Sequence, residues 1–352
     1  MNESELVKKA KIRPWSTILI SKNILCDGFQ ISDEFEDHGL CFFSHIHDDH
    51  TQGFESALGK CDFVCVSNIS KELFIALKGD WLKKRKNFIA LDYGTSFNYK
   101  DDKITLFETE HILGSSQILV EDSSGTRIVY SGDFNMPDTK SIECDLLILD
   151  SVHGSPTYNT KLNFDQKIKD LGMLVKNELK QGKWVIVRSY RGKLQKLMHH
   201  LRKKIEKPVP FVASNTDCRL ADVYGHYNLG TKDLMNLEDE EFQEISRSQD
   251  VPYILFTESG GPLLAREGTE IMSIRVGSSH EATTDFWKHI DLSDHATFKE
   301  ILDYVKGCNP KVVITDNSVR TRTGLAGSLA SEITKNLGIT SIPSPLTQIQ
   351  NK

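Results

Sequence analysis

The stretch Ser44-His45-Ile46-His47-Asp48-Asp49-His50 decides how this chain is interpreted. It directly follows residues 40–43, an apolar run that is typical of a buried strand. Side chains two residues apart on an extended segment point the same way, so His45 and His47 can share one metal ion. Asp49 and His50 follow at once and can turn toward a second ion. Because imidazoles with carboxylates suit zinc and similar metals, the stretch predicts a metal site rather than a polar loop that happens to be rich in histidine.

The composition of the chain limits its class. The 352 residues carry a net charge of −6 and are enough for two domains, or for one domain with a large insertion. No segment approaches the apolar length of a membrane span, and the polar start is not a signal peptide. The seven cysteines form no C-x-x-C pair. We therefore expect an intracellular protein, cytoplasmic or nuclear if eukaryotic, and not a secreted one. The mild negative charge argues against nucleic-acid binding over the whole surface but permits a basic cleft.

Further candidate ligands follow other predicted strands. His111 comes just past one strand, where the ion held by His45 and His47 still needs a third ligand. Asp133 ends a second strand and could bridge two ions with one oxygen to each, and Asp150 ends a third strand. Open layered sheets place their sites at the carboxyl ends of strands, so this convergence favours one shared site.

Two other residues near predicted element ends are candidates for supporting roles. Asp27 follows residues 17–25, which predict one strand. It could support the metal loop by hydrogen bonding to it or to a ligand, or it could be an ordinary turn residue. Ser293 is a natural helix cap and would place His295 in the first helical turn.

The pattern of the sequence changes near residue 161, where amphipathic helices are predicted. Residues 161–180 predict an amphipathic helix, and residues 191–205 predict a second one with basic polar faces. Arg191, Lys193 and Lys196 lie on these faces. Two interpretations remain open for them: a solvated helix face, or the wall of a cleft that binds a polyanion.

With these residues placed, the chain resembles the metallo-β-lactamase superfamily. Asp27 is similar to the family's first motif, and H-I-H-D-D-H at residues 45–50 to its second. His111, in H-I-L-G-S-S, looks like the third motif, and Asp133, in S-G-D-F, looks like the fourth. The second of these motifs is highly specific for the superfamily.

Two further matches resemble the β-CASP branch, which contains nucleases of RNA and of DNA. Asp150, in D-S-V-H-G, is similar to the acidic residue of motif A, and His295, in L-S-D-H-A, to the histidine of motif B. The third branch motif usually has His in RNA-directed members and Val in DNA-repair members. Here Asp316 occupies that place, so DNA or RNA stays open. Asp316 could complete a second metal site or be a strand-end residue without a role.

The resemblance implies an α/β fold, the metallo-β-lactamase αβ/βα four-layer sandwich with an inserted β-CASP α/β cap domain. The expected boundaries are 1–160 for the first part of the core, 161–270 for the insertion and 271–352 for the return segment. The helix at residues 191–205 would then meet nucleic-acid phosphates in the groove between core and cap.

The resemblance also implies two-metal hydrolysis of phosphodiester bonds. Zinc is the expected metal, and manganese also suits a site with carboxylates. The implied ligands are His45, His47 and His111 for one ion, Asp49 and His50 for the other, Asp133 as the bridge, and Asp316 as an addition to the second site. Asp49, Asp150 and His295 are the expected catalytic residues, with His295 as the proton donor.

The expected activity is therefore that of a nuclease acting on DNA or RNA. We expect an exonuclease in nucleic-acid processing or repair. The alternatives are a metallo-hydrolase of a small ester, thioester or cyclic phosphate, and a non-catalytic nucleic-acid-binding subunit. The hydrolase would not need Asp150 or His295, whereas the binding subunit would not need an intact ligand set.

Overall fold

The structure is a computed structural model that describes residues 1–13, 17–30, 39–160, 163–206, 208–248, 251–258, 270–277, 287–318 and 325–346. Its strands are β1 (Ala10–Ile12), β2 (Ile18–Ile20), β3 (Ile24–Cys26), β4 (Leu40–Phe42), β5 (Phe63–Ser67), β6 (Phe88–Leu91), β7 (Ser96–Tyr99), β8 (Asp102–Glu108), β9 (Ser116–Glu121), β10 (Arg127–Tyr130), β11 (Leu146–Leu149), β12 (Trp184–Arg188), β13 (Phe211–Ala213), β14 (Leu234–Asn236), β15 (Ile254–Thr257), β16 (Ile271–Gly277), β17 (Trp287–Asp291), β18 (Val312–Asp316) and β19 (Thr340–Ser344). Its helices are α1 (Glu3–Val7), α2 (Phe54–Lys60), α3 (Asn68–Lys78), α4 (Phe164–Lys180), α5 (Lys193–Arg202), α6 (Asn215–His226), α7 (Glu240–Ser248), α8 (Phe298–Cys308) and α9 (Ala326–Leu337), with 3₁₀ turns at Asp80–Lys84 and Pro156–Tyr158. Among the helices described, none combines the length and apolar character needed to span a bilayer.

The chain divides into two compact units. The first consists of Met1–Ile75, Gly79–Thr160 and Asp294–Lys352, and the second of Lys161–Ser293 with Ala76–Lys78. The second unit is thus inserted within the sequence of the first. The insertion was expected to end at residue 270, but β16 and β17 pair into the sheet of the second unit. Because β16 pairs in parallel with β12 in that sheet, these strands are not part of the return segment.

The first unit is built on two sheets that pack face to face. Strands β1 to β6 form one sheet in chain order, and the other has the order β19-β18-β11-β10-β9-β8-β7. Apolar side chains of both sheets, including Ile20, Phe42, Ile118 and Ile148, form the core between them. Strand β11 is buried along its whole length and has a parallel neighbour on each side, as expected for a central strand covered on both faces.

Helices cover the outer faces of this sandwich. Phe298 of α8 and Leu329 of α9 join an apolar cluster with the second sheet. Beside the first sheet, Phe54 of α2 stacks on Phe74 of α3 with ring centroids 4.4 Å apart, and Phe88 of β6 meets Phe54 edge-on at 5.5 Å. The resulting order of helix, sheet, sheet and helix confirms the αβ/βα four-layer sandwich.

The second unit is an α/β layer of its own. Its sheet has the order β14-β13-β15-β12-β16-β17, and all of its pairings are parallel. Ile168 of α4 and Leu197 of α5 pack on one face, and Phe242 of α7 packs beside Trp184 on the other. Helices on both faces are what an all-parallel sheet requires. The amphipathic helices expected at residues 161–180 and 191–205 are confirmed as α4 and α5.

The single strand expected at residues 17–25 was wrong. The structure has a hairpin there, in which β2 and β3 pair antiparallel with Ile20 opposite Ile24. Ser21 in the turn has a φ of 56°. The polar run Ser21-Lys22-Asn23 between the two apolar segments is the turn signal that the single-strand prediction missed.

Gly53 ends the metal-loop segment and is the N-cap residue of α2, and it supplies a stability prediction. Its φ is +74°, and a Cβ there would lie 1.9 Å from the carbonyl oxygen of Phe29. We expect Gly53→Ala to lower the free energy of unfolding by about 2 kcal/mol or more, because the left-handed backbone alone costs roughly 1–2 kcal/mol. Chemical denaturation measures this. The control is Gly59→Ala in the same helix, where a Cβ meets nothing within 4 Å. Equal midpoints for the two variants would contradict the argument.

Candidate metal centre and active site

The candidate site lies in the first unit, where several strands end. The histidine loop follows β4, and His111 lies three residues beyond the end of β8. Asp133 follows β10, and Asp150 follows β11 directly. The fold therefore brings together side chains that are far apart in the sequence, as the strand-end pattern predicted.

Three imidazoles and one carboxylate form a compact group. His45 Nε2 lies 2.9 Å from His47 Nδ1, and His111 Nε2 lies 3.3 Å from the same atom. Asp133 Oδ2 lies 3.8 Å from His45 Nε2 and 3.6 Å from His111 Nε2. A tetrahedral ion with ligands at ~2.1 Å separates its ligand atoms by about 3.4 Å. The observed distances fall on both sides of this value, so the donor set fits zinc.

Hydrogen bonds fix the tautomers of two of these histidines. Ser44 Oγ donates to Asp27 Oδ2 at 2.6 Å and accepts from His45 Nδ1 at 2.9 Å. His111 Nδ1 donates to the carbonyl of Asp294 at 3.1 Å. Each ring therefore turns an unprotonated Nε2 toward the group, which is the form that binds a metal.

The electrostatics of the group favour neutral imidazoles. Burial, followed by the charge of His50, holds the pKa of His45 well below its usual value. Burial also holds the pKa of His111 well below its usual value, although Asp133 opposes it. Metal ligation requires a deprotonated nitrogen, so the lowered pKa values keep both rings in the neutral form that can bind an ion.

A second group of contacts surrounds the other oxygen of Asp133. His50 Nε2 lies 3.3 Å from Asp133 Oδ1, and His50 Nδ1 donates to Asp27 at 2.7 Å. Burial lowers the pKa of His50, but Asp133, Asp27 and Asp49 outweigh it and raise that pKa well above its usual value. Asp133 thus faces His45 and His50 with different oxygens, which is the arrangement that a bridging carboxylate needs.

Asp27 supports the histidine loop through hydrogen bonds. It is fully buried, and its carboxylate accepts hydrogen bonds from the Ser44 amide (2.7 Å), the Ser44 hydroxyl (2.6 Å), His50 Nδ1 (2.7 Å) and the Tyr130 hydroxyl (2.6 Å). The sequence left open whether Asp27 supports the loop or only forms a turn. The four donors show that the loop and a histidine both depend on it.

These bonds predict the effect of Asp27→Asn. An amide has one acceptor oxygen, so it leaves buried donors of Ser44 and His50 without their partner. We expect zinc affinity to fall by about 10- to 100-fold, the usual cost of losing a group that orients a ligand. Zinc titration against a competing chelator measures it. Tyr130→Phe removes a single donor and should cost less. Unchanged zinc affinity in Asp27→Asn would refute the supporting role.

Asp150 and His295 lie beside the metal group. Asp150 Oδ2 is 3.6 Å from His295 Nδ1. Asp133, Asp150 and His295 each offer an atom within 4.8 Å of the others. Burial and the charge of Asp133 raise the pKa of Asp150, whereas His295 lowers it. The pair therefore places an imidazole next to the ion-binding carboxylate.

His295 does not lie in a helix, which corrects the expected cap at Ser293. Helix α8 begins at Phe298, and Thr297 is its cap. The Thr297 side chain accepts from the Glu300 amide, and the Glu300 side chain accepts from the Thr297 amide. This reciprocal capping box satisfies two free amides and sets the helix start later. His295 belongs to the preceding loop.

His153 is a supporting residue that the sequence reasoning missed. Its Nδ1 donates to the carbonyl of Ala296 at 2.9 Å, and its ring stacks on Tyr158 with centroids 4.7 Å apart. His111 binds the carbonyl on the other side of His295. Two imidazoles therefore hold the backbone that carries His295. The available signal was the position of His153 within the same D-S-V-H-G segment as Asp150.

Asp316 and Asp49 were expected to ligate a second ion. Asp316 is buried at the end of β18, and its Oδ1 accepts from the Ser318 amide at 2.8 Å. Asp49 is half-buried in the loop. Within the described residues, the groups able to hold an ion include neither of them. Their part in a second metal site stays a prediction.

Two of the three basic residues expected to contact nucleic acid are engaged inside the second unit. Arg191 Nη2 forms an ion pair with Glu258 at 2.8 Å. Lys193 is only 6% exposed, and its ammonium donates to the carbonyl of Leu292 at 2.7 Å. Lys193 was expected on a polar face, but it serves the packing of this unit instead. A nucleic-acid contact by Arg191 or Lys196 stays a prediction.

The chain has relatives among known proteins. No protein-family model matches it. An uncharacterized protein in the lig 3′ region of Acidianus ambivalens is 31% identical over 143 residues, which cover 40% of this chain and 100% of that protein. Probable RNase MJ4 of Methanocaldococcus jannaschii is 27% identical over 194 residues, 43% of this chain and 45% of the relative. The chain belongs to the β-CASP branch of the metallo-β-lactamase superfamily.

Two matches cover most of this chain. A probable DNA ligase of Opitutus terrae is 22% identical over 331 residues, 86% of this chain and 30% of the ligase. The β-CASP protein thus spans less than half the length of these two relatives, each of which has a named activity. A solved structure of an Enterococcus faecalis V583 protein of unknown function matches with a TM-score of 0.56 at 15% identity, covering 95% of both chains. That likeness concerns the fold alone.

Proposed function

We propose that this β-CASP protein is a nuclease that hydrolyses phosphodiester bonds of nucleic acid, and that it acts as an exonuclease. The observation that carries the proposal is Asp133, which faces the metal-binding imidazoles and lies beside the Asp150–His295 pair. The metal group supports hydrolysis, and the adjacent imidazole supports protonation of a leaving oxygen. The names of two relatives, a probable RNase and a probable DNA ligase, support nucleic acid as the substrate.

We assign a set of ligands to each of two metals. His45, His47, His111 and Asp133 would hold one zinc ion. His50 and Asp133, with Asp49 and Asp316 as further oxygen ligands, would hold a second ion, for which manganese also suits the carboxylates. Bound zinc supplies positive charge for the phosphate oxygens and lowers the pKa of water to about 7.

The side chains around the proposed metals would donate a proton and orient the ligand rings. His295 Nδ1 faces Asp150, so Nε2 is the nitrogen that would donate a proton to the leaving oxygen. Asp150 orients the ring. Asp27, Ser44 and the carbonyl of Asp294 hold the ligand rings in place, so that binding of substrate does not have to order them.

Cleavage of end-labelled polymers tests the proposal. Zinc- or manganese-loaded protein would be incubated with single- and double-stranded DNA and RNA, beside a chelator-treated sample. We expect a ladder from one end that is absent after chelation. DNA is the first polymer to test, because a relative that matches 86% of this chain is named a probable DNA ligase. Internal cuts would replace the exonuclease assignment, and no cleavage of any polymer by loaded protein would refute the nuclease.

Salt dependence gives a second readout of the same proposal. Lys and Arg contacts to phosphates release counterions, so affinity for nucleic acid should fall steeply as salt rises. We expect weak sequence preference, since phosphate contacts carry no base information. A flat response of affinity to salt would contradict binding through the phosphate backbone.

A further inference from the structure

A cavity of about 230 Å³ lies within the second unit and has no part in the metal centre. It lies beside the carboxyl end of β12, where Arg188 ends the strand, and it is also lined by Arg275 of β16 and Trp287 of β17. Open parallel sheets commonly bind ligands at the carboxyl ends of their strands. Its position in the fold is therefore one at which a ligand is expected.

The strand register places the cavity's polar groups on one face. Arg188 pairs directly with Arg275 across parallel strands, so their side chains leave the sheet on the same side. Trp287 pairs with Ser273, which lies two residues before Arg275 and therefore shares that side. Arg188 Nε donates to Ser273 Oγ at 3.0 Å, and its guanidinium carbon lies 5.9 Å from the Trp287 ring centroid.

The charges at the cavity favour an anion. Arg188 and Arg275 are neighbours of like charge, and burial together with Arg275 lowers the pKa of Arg188. Glu258 also lines the cavity, but its carboxylate forms an ion pair with Arg191 at 2.8 Å. Among the described residues that line the cavity, two arginines therefore stand against one carboxylate. Two adjacent guanidiniums repel each other, and an anion that contacts both would relieve this cost.

We propose that this cavity binds one nucleotide unit, with its phosphate on Arg188 and Arg275 and its base against Trp287. Guanidinium groups match phosphate oxygens with paired hydrogen bonds, and an aromatic ring stacks on any base. Tyr190, which also lines the cavity and is 53% exposed, offers a second ring. The proposal deepens the proposed function, because a nuclease would use such a site to hold one nucleotide of its substrate or product.

Calorimetric titration of the full-length, zinc-loaded protein with AMP, inorganic phosphate and adenosine tests the cavity. We expect Arg188→Gln and Arg275→Gln each to weaken binding of AMP and of phosphate by about tenfold or more. Trp287→Leu should weaken AMP by about tenfold and leave phosphate unchanged, whereas Trp287→Phe should retain most of the AMP affinity. Arg247→Gln, an exposed arginine on α7 of the same unit, is the charge-matched control.

Asp133→Asn separates this proposal from the proposed function. It should remove metal and cleavage but keep AMP binding. If AMP binding disappears in Asp133→Asn and survives in both arginine variants, the nucleotide binds at the metal centre and the cavity proposal is overturned while the nuclease stands. Absence of saturable AMP binding in the wild type also overturns it. If an arginine variant fails to fold, as judged by circular dichroism, the comparison of Trp287→Leu with Trp287→Phe decides.

A separate experiment distinguishes a nucleotide within a strand from a free mononucleotide. A 5′-phosphorylated oligonucleotide that binds more tightly than AMP, with the same loss in Arg188→Gln and Arg275→Gln, identifies a nucleotide of a strand. Equal affinity for AMP and the oligonucleotide identifies a free mononucleotide. Binding of phosphate with no gain from the base would overturn the nucleotide assignment.

Discussion

Asp133→Asn should lose bound metal and catalytic activity together. Asp133 places one oxygen 3.6–3.8 Å from the nitrogens of His111 and His45 and the other 3.3 Å from His50. Although burial opposes ionisation, His50 and its neighbours hold the pKa of Asp133 well below its usual value, so it is a carboxylate. Asparagine keeps the shape but removes the charge and one acceptor oxygen.

The expected magnitude follows from the place of this residue. A group that only orients a metal ligand is worth about 10- to 100-fold, so loss of a shared ligand should cost at least about 100-fold in turnover. Elemental analysis of purified protein and cleavage under single-turnover conditions measure the two effects. Asp138→Asn, an exposed neighbour, is the control. Full zinc content with unchanged cleavage in Asp133→Asn would contradict the ligand assignment.

His295→Ala should separate metal binding from catalysis. The ring lies beside Asp150 at 3.6 Å, and its centroid is 4.9 Å from that of His111. We expect metal content to stay at the wild-type value, because His295 is not needed to complete the group of His45, His47, His111 and Asp133. Turnover should fall by roughly 10²- to 10⁴-fold, the usual contribution of a general acid.

The matched variant for this prediction is Asp150→Asn. It should lower turnover in the same direction as His295→Ala with metal content again retained, because Asp150 acts by orienting the ring. Loss of metal in His295→Ala would show that His295 is a ligand instead of a proton donor. Activity that survives the loss of both Asp150 and His295 would favour a hydrolase of small esters.

Local sequence patterns predicted much of the candidate site, because its candidate ligands are concentrated at strand ends. The loop from His45 to His50 is contiguous, so spacing alone indicated shared ions. His111, Asp133 and Asp150 each follow a short apolar strand, and strands of one sheet bring their ends to one edge. The four-layer sandwich itself came from the resemblance, which the structure confirms.

The features that the sequence did not predict depend on contacts between residues that are distant in the sequence. The tautomer of His111 is set by a carbonyl 183 residues away, and no spacing rule reaches that far. The role of His153 arises only when its ring meets the loop of His295. The insertion extends beyond residue 270 because β16 pairs with β12, and pairing partners in a parallel sheet are chosen by tertiary packing rather than by local sequence.

Anomalous X-ray diffraction at the zinc edge, from crystals of the zinc-loaded protein, tests the central claim most directly. We predict a strong peak at about 2.0–2.2 Å from His45 Nε2, His47 Nδ1, His111 Nε2 and Asp133 Oδ2. A second peak should lie between His50 Nε2 and Asp133 Oδ1. The claim would be contradicted by zinc-loaded crystals whose anomalous peaks lie elsewhere while these four ligand atoms coordinate nothing.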